Sequence, residues 1–158
     1  MNVEPSPTIR RVVFGSAVYD FFVTAPFATP WTADAVLSVT RSLHRTLGLG
    51  GEVPPPFAPS HLVFVSLFGT MTALWAVVRA LRPTRFHGTV DMVGRALFSL
   101  WMGVALARGA SHVLVGFLVG ELVWMFALAG VLARHRSAGA SPNQSTPSRS
   151  GTASKGSA

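Results

Sequence analysis

The sequence predicts an all-helical integral membrane protein, an up-and-down bundle of four transmembrane helices with a short amphipathic helix in the first extracytoplasmic loop. Of its 158 residues, 49% are hydrophobic and only 12% are charged, with a mean hydropathy of +0.45. A soluble domain carries about twice that fraction of charge. The apolar residues fall into four runs, and basic residues flank these runs instead of forming a nucleic-acid-binding patch, which is typical of membrane topology.

The four apolar runs cover residues 12–29, 62–81, 92–107 and 113–132. Each has about the length that a helix rising 1.5 Å per residue needs to cross a hydrocarbon core of ~30 Å. Lipid offers no partner to bare backbone groups, so each run should be helical. We therefore predict a cytoplasmic tail over residues 1–9 and a transmembrane domain over residues 10–136. The Ser-, Gly- and Pro-rich residues 137–158 should form a disordered cytoplasmic tail.

The first run also resembles a cleavable signal peptide, because Arg10 and Arg11 precede an apolar stretch. Two features argue against cleavage. Asp20 lies in the middle of the run, and the best small-residue cleavage site is followed directly by Pro26. We predict an uncleaved first helix.

A long connection separates the first two runs and has a helical pattern of its own. Thr32 can cap a helix over residues 33–47, in which apolar residues recur every three or four positions. This pattern predicts an amphipathic helix on the outer membrane interface, and packing as a lid over the mouth of the bundle is the alternative. The last connection, residues 109–111, is nearly a tight turn and predicts that the third and fourth helices are antiparallel neighbours.

Basic residues predict the orientation. If the N-terminus is cytoplasmic, ten basic residues lie on that side: Arg10, Arg11, Arg79, Arg82, Arg85, Arg95, Arg134, Arg136, Arg149 and Lys155. Only Arg41, Arg45 and Arg108 lie on the other side. This asymmetry predicts that both termini are cytoplasmic. The preference for arginine over lysine is typical of GC-rich coding DNA, so we expect a bacterial inner-membrane protein.

Asp20 and Glu121 are the acidic residues that lie well inside apolar runs. An ionisable group there costs at least ~2.5 to 3.5 kcal/mol and persists where something uses or satisfies it. Each lies eight residues from one end of its run, about 12 Å, so both should be near the middle of the membrane. The first and last helices of such a bundle are neighbours. We expect the two carboxyl groups to form a coupled dyad that retains a proton at neutral pH.

Arg95 and Tyr19 are the other candidates for this intramembrane site. Arg95 starts about 4 to 5 Å inside the third run, from where it should reach Asp20 more easily than Glu121. In a functional interpretation, these residues bind a proton or a substrate. In a structural interpretation, Asp20 and Arg95 form an ion pair while Glu121 accepts a hydrogen bond from Tyr19 or a neighbouring hydroxyl. The sequence leaves both interpretations open.

Glycine and histidine pairs provide weaker signals. Gly116 and Gly120 have the GxxxG spacing of closely packed helices, within one subunit or between two copies. His61 and His112 begin the second and fourth helices and are weak metal-ligand candidates, better interpreted as interfacial histidines. The chain has no cysteine, which excludes thiolate and disulfide chemistry, and no cofactor is predicted.

Several short segments carry a resemblance: Tyr19-Asp20, residues 24–31, 94–98 and 120–124. They resemble those of an uncharacterised family of small four-helix bacterial inner-membrane proteins, and the chain is more loosely similar to DoxX-like proteins. The resemblance implies the four-helix fold and carries over no activity.

Three functional hypotheses follow from the sequence. The first is a structural or accessory role in a larger membrane complex. The second is a small proton-coupled transporter that uses the Asp20/Glu121 pair. The third is a membrane enzyme acting on lipid or quinone, although no nucleotide loop, zinc-helix motif or serine-nucleophile motif indicates an enzyme. The expected partners are the lipid bilayer and a membrane protein or a second copy of the chain, not nucleic acid.

Overall fold

A computed structural model of the chain describes residues 6–139, with side chains described through Arg134. These residues form five α-helices and no strand, which confirms the all-helical prediction. The helices are α1 (Pro7–Thr24), α2 (Pro30–Thr46), α3 (Pro59–Leu81), α4 (Arg85–Ala107) and α5 (Leu114–Gly139). A single 3₁₀ turn, Ala25–Phe27, joins α1 to α2.

Three helical segments are long and apolar enough to cross a membrane: α3, α4 and the Leu114–Arg134 part of α5. The first predicted span is different. Helix α1 with its 3₁₀ turn meets the same criterion only together with α2, from which it is bent by 101°. Helix α1 is less apolar than the other three because it carries Arg10, Arg11 and Asp20.

Proline marks the starts of α1, α2 and α3, and each of these helices begins earlier in the chain than predicted. Pro7, Pro30 and Pro59 each occupy the first turn, where the missing N–H costs no hydrogen bond. Thr29, not Thr32, caps α2, since Thr29 Oγ1 accepts a hydrogen bond from the backbone N–H of Thr32 at 3.3 Å. Because α1 begins at Pro7, residues 7–9 of the predicted N-terminal tail are helical. Residues 1–5 of that tail lie outside the described residues.

Helices α4 and α5 also differ from the predicted bounds. Helix α4 begins at Arg85, seven residues before the predicted start at Met92, and Thr84 caps it by accepting from His87 N at 3.2 Å. The run criterion missed this start because the first two turns are polar. Helix α5 continues to Gly139, so the first three residues of the predicted tail are helical. The disorder predicted for the rest of that tail falls outside the described residues.

Helix α1 lies at the centre of the packing and contacts α3, α4 and α5, whereas α4 packs mainly on α5. The 3₁₀ turn after α1 packs on α3 at Gly69, where an added Cβ would overlap the Phe27 carbonyl group. Helix α3 therefore packs alongside α1, and α4 packs alongside α5. This arrangement leaves a space between α3 and α4.

The α2–α3 connection folds over the turn between α4 and α5, and we call this region the cap end. Glu52 N donates to Gly109 O at 2.7 Å, and His112 N donates to Gly50 O at 3.0 Å. Gly51 is required here because its φ is +86° and an added Cβ would overlap the Ala110 carbonyl. Helix α2 packs on α3 at this end and buries Ala33 and Leu37, while its apolar residues Val39, Leu43 and Leu47 stay exposed.

The opposite end of the helices is closed by an apolar core. Ile9 and Val13 of α1 and Leu128 of α5 are each 1% exposed and pack together, with Val12, Met92 and Val131 around them. Ile9 and Val13 precede Ser16 and Asp20 on one face of α1, since the four positions are spaced by three or four residues. The core therefore adjoins the polar part of that face, on the side away from the cap end.

Candidate functional site

Five ionisable side chains from four helices meet above this apolar core, and we call them the charge cluster. They are Asp20 of α1, Arg79 of α3, Asp91 and Arg95 of α4, and Glu121 of α5. Arg79 lies two residues before the end of α3, and its side chain points back along the helix toward the cap end. Asp91 is in the second turn of α4 and Arg95 is near the middle of that helix, while Asp20 and Glu121 lie four and seven residues from the cap-end termini of α1 and α5.

Two aspartates and two arginines of the cluster form a closed ring. Asp20 Oδ2 accepts from Arg79 Nη2, and Asp20 Oδ1 accepts from Arg95 Nη2 at 2.7 Å. On the other side, Asp91 Oδ1 lies 2.5 Å from Arg79 Nη1, and Asp91 Oδ2 lies 3.3 Å from Arg95 Nε. The hydroxyl of Ser16 adds a donor to Asp91 Oδ2 at 2.8 Å. Each carboxylate is thus held by both guanidinium groups, and the four charges balance.

Glu121 is attached to this ring from one side. Its Oε2 accepts from Arg95 Nη1 at 2.9 Å, the one ion pair of Glu121 among the described residues. When every group is ionised, the cluster has three negative charges and two positive charges. Glu121 therefore supplies a negative charge that no guanidinium group of its own balances.

The charged groups are buried to different degrees. The side chains of Arg79 and Arg95 are 1% and 2% exposed and that of Asp91 is 7% exposed, whereas Asp20 and Glu121 are 16% and 14% exposed. Taking charges out of water is costly unless each is paired and hydrogen-bonded. The ion pairs of the ring provide partners for most of the buried charged atoms. The buried Arg79 Nε, however, has no hydrogen-bond partner among the described residues.

A cavity of about 700 Å³ lies in the space between α3 and α4 and ends at the charge cluster. Asp20, Arg79, Asp91, Arg95 and Glu121 all contribute to its lining, and most of the other lining residues are apolar or aromatic. Phe68 of α3 and Phe98 of α4 meet edge to face across this space, with ring centroids 6.2 Å apart, and are 57% and 43% exposed. The exposure of both rings places the mouth of the cavity between the two helices.

Three of the four predicted site residues are joined in this cluster, with two corrections to their geometry. Asp20 and Glu121 are not a direct carboxyl dyad, because Arg95 binds both of them. The expectation that Arg95 reaches Asp20 more easily than Glu121 is wrong, since the two separations are 2.7 and 2.9 Å. A guanidinium group has five donors on a long stem, so it can connect carboxylates from different helices.

Tyr19, the fourth candidate, lies beside the cluster. Its ring centroid is 5.8 Å from Arg95 Cζ, within cation–π range, and 6.0 Å from the centroid of the Trp124 ring. The Tyr19 hydroxyl lies over Gly120, where an added Cβ would overlap it. Gly120 thus permits close packing of α1 and α5, whereas Gly116 has open space at its Cβ position. The GxxxG pair is not one packing surface within the chain.

Sequence reasoning missed Asp91 and Arg79. Asp91 lies one residue before the third apolar run, and Arg79 was counted among the charges that determine topology. A signal was present, because Asp91 and Arg95 are four residues apart on one helix face and pair in the structure. Arg79 and Arg95, which the sequence analysis counted among the basic residues of the cytoplasmic side, are therefore buried between the helices.

The weak metal candidates His61 and His112 are both exposed at the cap end. His112 lies close to Gly50, in the contact between the α2–α3 connection and the α4–α5 turn. Over residues 6–134, no three His, Asp, Glu or Cys side chains come together in a group that could hold a metal ion. Among the histidines whose side chains the structure describes, His44 is the buried one, and its Nδ1 is 2.7 Å from Ser111 Oγ.

Comparison with known proteins returned no matching family model, no matching curated protein and no matching solved structure.

Proposed function

We propose that this chain is a four-span bacterial inner-membrane protein and that the charge cluster is the proton-binding centre of a small proton-coupled transporter. The observation that carries the proposal is the unequal number of charges in the cluster, with three carboxylates and two guanidinium groups at the end of a cavity.

The charge difference distinguishes a functional cluster from a purely structural one. The ring of Asp20, Arg79, Asp91 and Arg95 is already neutral and joins three helices. Glu121 is not needed for that balance, and an unbalanced charge in the membrane interior is costly. A bound proton or a cationic substrate removes this cost. A group that alternates between these two states is the central element of a proton-coupled transporter, which favours transport over an accessory role.

The proposed membrane topology follows from helix length, the bend after α1 and the positions of the charges. Helix α1 with its 3₁₀ turn spans residues 7–27, about 31 Å at 1.5 Å per residue, so it is long enough to be the fourth transmembrane helix of the bundle. The 101° bend then directs α2 along the membrane surface. Without the buried Arg79 and Arg95, eight of the ten basic residues remain on the side of the termini against three on the other. This bias supports cytoplasmic termini.

The two sides of the charge cluster differ in access. On the side opposite the cap, Ile9, Val13 and Leu128 form the apolar core, while the cavity lies on the other side. Alternating access requires states in which the central site opens to one side only. We interpret the described conformation as one such state, closed toward the cytoplasm.

Proton movement in proteoliposomes tests the proposal. The purified protein is reconstituted around an enclosed pH-sensitive dye, and anionic, neutral and cationic amphiphiles are added in turn across an imposed pH gradient. We expect at least one class to drive proton movement. Glu121→Gln should abolish it with the thermal stability retained, while the exposed-site control Asp34→Asn should behave as wild type. If no class moves protons, or if Glu121→Gln is as active as wild type, the proposal is wrong.

A further inference from the structure

The cavity has the size and shape of a site for an elongated small molecule. Its volume of about 700 Å³ is within the range of ~300 to 1,000 Å³ typical of ligand pockets. Along α3 its lining extends from Phe64 to Arg79, about 22 Å at 1.5 Å per residue. One end of the cavity is apolar and the other end is charged, so its occupant should be an amphiphile.

Aromatic rings form much of the apolar wall: Phe27, Phe57, Phe64, Phe68, Trp75, Phe98 and Phe117. The face of an aromatic ring carries partial negative charge and attracts cations, more strongly where water is excluded. The wall is therefore suited to an organic cation as well as to an uncharged hydrophobic group.

The charged end of the cavity favours a cation over an anion or an uncharged group. Asp20 and Glu121 are the more exposed members of the charge cluster, at 16% and 14%, whereas both guanidinium groups are almost fully buried and engaged by carboxylates. An anion needs free donors, and the described part of the cluster leaves only Arg79 Nε without a partner. The cavity thus presents mainly carboxylate oxygens, with one negative charge in excess.

Building on the proposed function, we propose that the transported substrate is a lipophilic monovalent cation, which binds against the aromatic wall with its charge beside Asp20 and Glu121. One cation and one proton balance the same excess charge, so they compete for the cluster and each cation that binds displaces one proton. The mouth between α3 and α4 would face the lipid in the proposed topology, where lipophilic cations accumulate.

The cation and the proton compete for the whole charge cluster and not for Glu121 alone, because several ionisable groups surround Glu121. Those that act on it from the other helices are Asp20 and Tyr19 of α1 and Asp91 and Arg95 of α4, and Arg79 of α3 is paired in turn with the two aspartates. A guanidinium group stays charged at accessible pH, so one proton or one monovalent cation neutralises the excess negative charge that Glu121 adds to the ring. Affinity for the cation should therefore fall about tenfold per pH unit below the pH at which this proton binds.

Tetraphenylphosphonium and tetraphenylborate are matched probes, since they have nearly the same size and opposite charge. Binding is measured by equilibrium dialysis on the full chain in lipid nanodiscs, with empty nanodiscs as the control for partition into lipid. Proton release is followed with a pH indicator in weak buffer. We expect saturable binding of one tetraphenylphosphonium per chain with release of one proton, and no saturable binding of tetraphenylborate.

Two variants locate the bound cation. Glu121→Gln should weaken tetraphenylphosphonium binding more than tenfold and remove the pH dependence. Phe98→Ala should weaken binding about threefold through loss of a cation–π contact, whereas Phe126→Ala, an exposed residue of α5 outside the cavity lining, should leave it unchanged. A wild-type pH series tests the competition without any substitution.

The outcomes separate the two proposals. Equal binding of both probes, or binding unaffected by Glu121→Gln and by pH, overturns the cation inference. If tetraphenylphosphonium does not bind while a neutral or anionic amphiphile drives proton movement in proteoliposomes, the inference is wrong and the transporter proposal stands. Binding of tetraphenylphosphonium without proton release, in a protein that moves no protons with any class, overturns both the transport function and the exchange.

Discussion

Arg95 contacts three carboxylates on three helices, which makes it the residue on which the charge cluster most depends. In Arg95→Gln, Asp20 and Asp91 retain Arg79 as a charged partner, and Glu121 loses its one ion pair among the described residues. Removing one partner of a buried ion pair costs about 3 to 5 kcal/mol, because the other charge stays buried. We expect a loss of that order in the free energy of unfolding, measured by denaturant titration with tryptophan fluorescence in detergent.

Two further variants control for the loss of charge itself. Arg108→Gln removes an exposed arginine and should leave stability within about 0.5 kcal/mol of wild type. Arg95→Lys should recover little stability, since a single ammonium group cannot donate to three carboxylates in fixed geometry. Equal stability of Arg95→Gln and Arg108→Gln would show that the ion pairs of Arg95 contribute nothing.

Loss of charge should destabilise the protein at Asp91 but not at Glu121. Asp91 belongs to the neutral ring, so Asp91→Asn breaks two ion pairs and should cost about 3 kcal/mol, or roughly 6 to 12 °C in melting temperature. Glu121 supplies the excess charge, and the glutamine oxygen of Glu121→Gln still accepts from Arg95. That variant should melt within about 2 °C of wild type, as followed by thermal unfolding in detergent. Similar destabilisation by both variants would contradict the division into ring and appended carboxylate.

The candidate site could be predicted in part. Asp20, Arg95 and Glu121 are visible in the sequence because a charge within an apolar run is costly and therefore conspicuous. Asp91 and Arg79 lie near the ends of apolar runs, where charged residues are ordinary, so only the tertiary contacts show that their side chains face inward. The closed ring depends on three helices meeting at one place, and no local pattern contains that information.

At the scale of elements, the two glycines of the GxxxG pair allow a direct comparison. Gly120→Ala should push the Tyr19 ring away from α5 and destabilise the chain by about 1 to 2 kcal/mol through overpacking. Gly116→Ala meets open space and should be neutral or slightly stabilising, because alanine is the better helix former. Denaturant unfolding of both variants gives these values.

Light scattering on the same samples tests the alternative role of the pair. A dimer built on the GxxxG surface requires both glycines, so both variants would then lose the dimer. An effect of Gly116→Ala as large as that of Gly120→Ala would contradict packing of α1 on α5 as the reason for Gly120.

The helices themselves were predictable where hydrophobicity alone determines them. The three apolar helices appear in the sequence as runs, because lipid requires about 20 apolar residues in a span. The starts of α3 and α4 were missed at polar first turns, most clearly in α4, where seven residues from Arg85 precede the run, whereas α5 begins within one residue of the predicted position. The sharp bend between α1 and α2 was not predicted, although Pro26 and Pro30 lie on either side of it.

At the scale of the whole molecule, the helix pairing determines where the cavity lies. Helix α3 packs on α1, and α4 packs on α5, although α3 and α4 are adjacent in the chain. The short α3–α4 connection therefore joins two helices that splay apart, with aromatic rings between them. The cap end holds α4 and α5 against the α2–α3 connection, so a change in the α3–α4 spacing is the simplest motion that would open or close the cavity.

The proposed orientation predicts which side of the membrane each end of the helices faces. Because the chain has no cysteine, single cysteines can be introduced without background labelling. Thr8 of α1 and Ser42 of α2 are exposed at opposite ends, and Ala17 is fully buried. In intact bacterial cells, a membrane-impermeant maleimide should label Ser42→Cys, while Thr8→Cys should react only after permeabilisation. Ala17→Cys should react only in denaturant.

The labelling pattern also decides how the transport cycle is oriented. Labelling of Thr8→Cys and Ser42→Cys from the same side would mean that α1 does not cross the membrane, which contradicts the four-span topology. An exchanged pattern would keep the four spans and reverse their direction. The apolar core of Ile9, Val13 and Leu128 would then close the outer side, and the described state would admit its substrate from the cytoplasm. With the expected pattern, the core closes the cytoplasmic side, and opening this core is the step that must release protons into the cell.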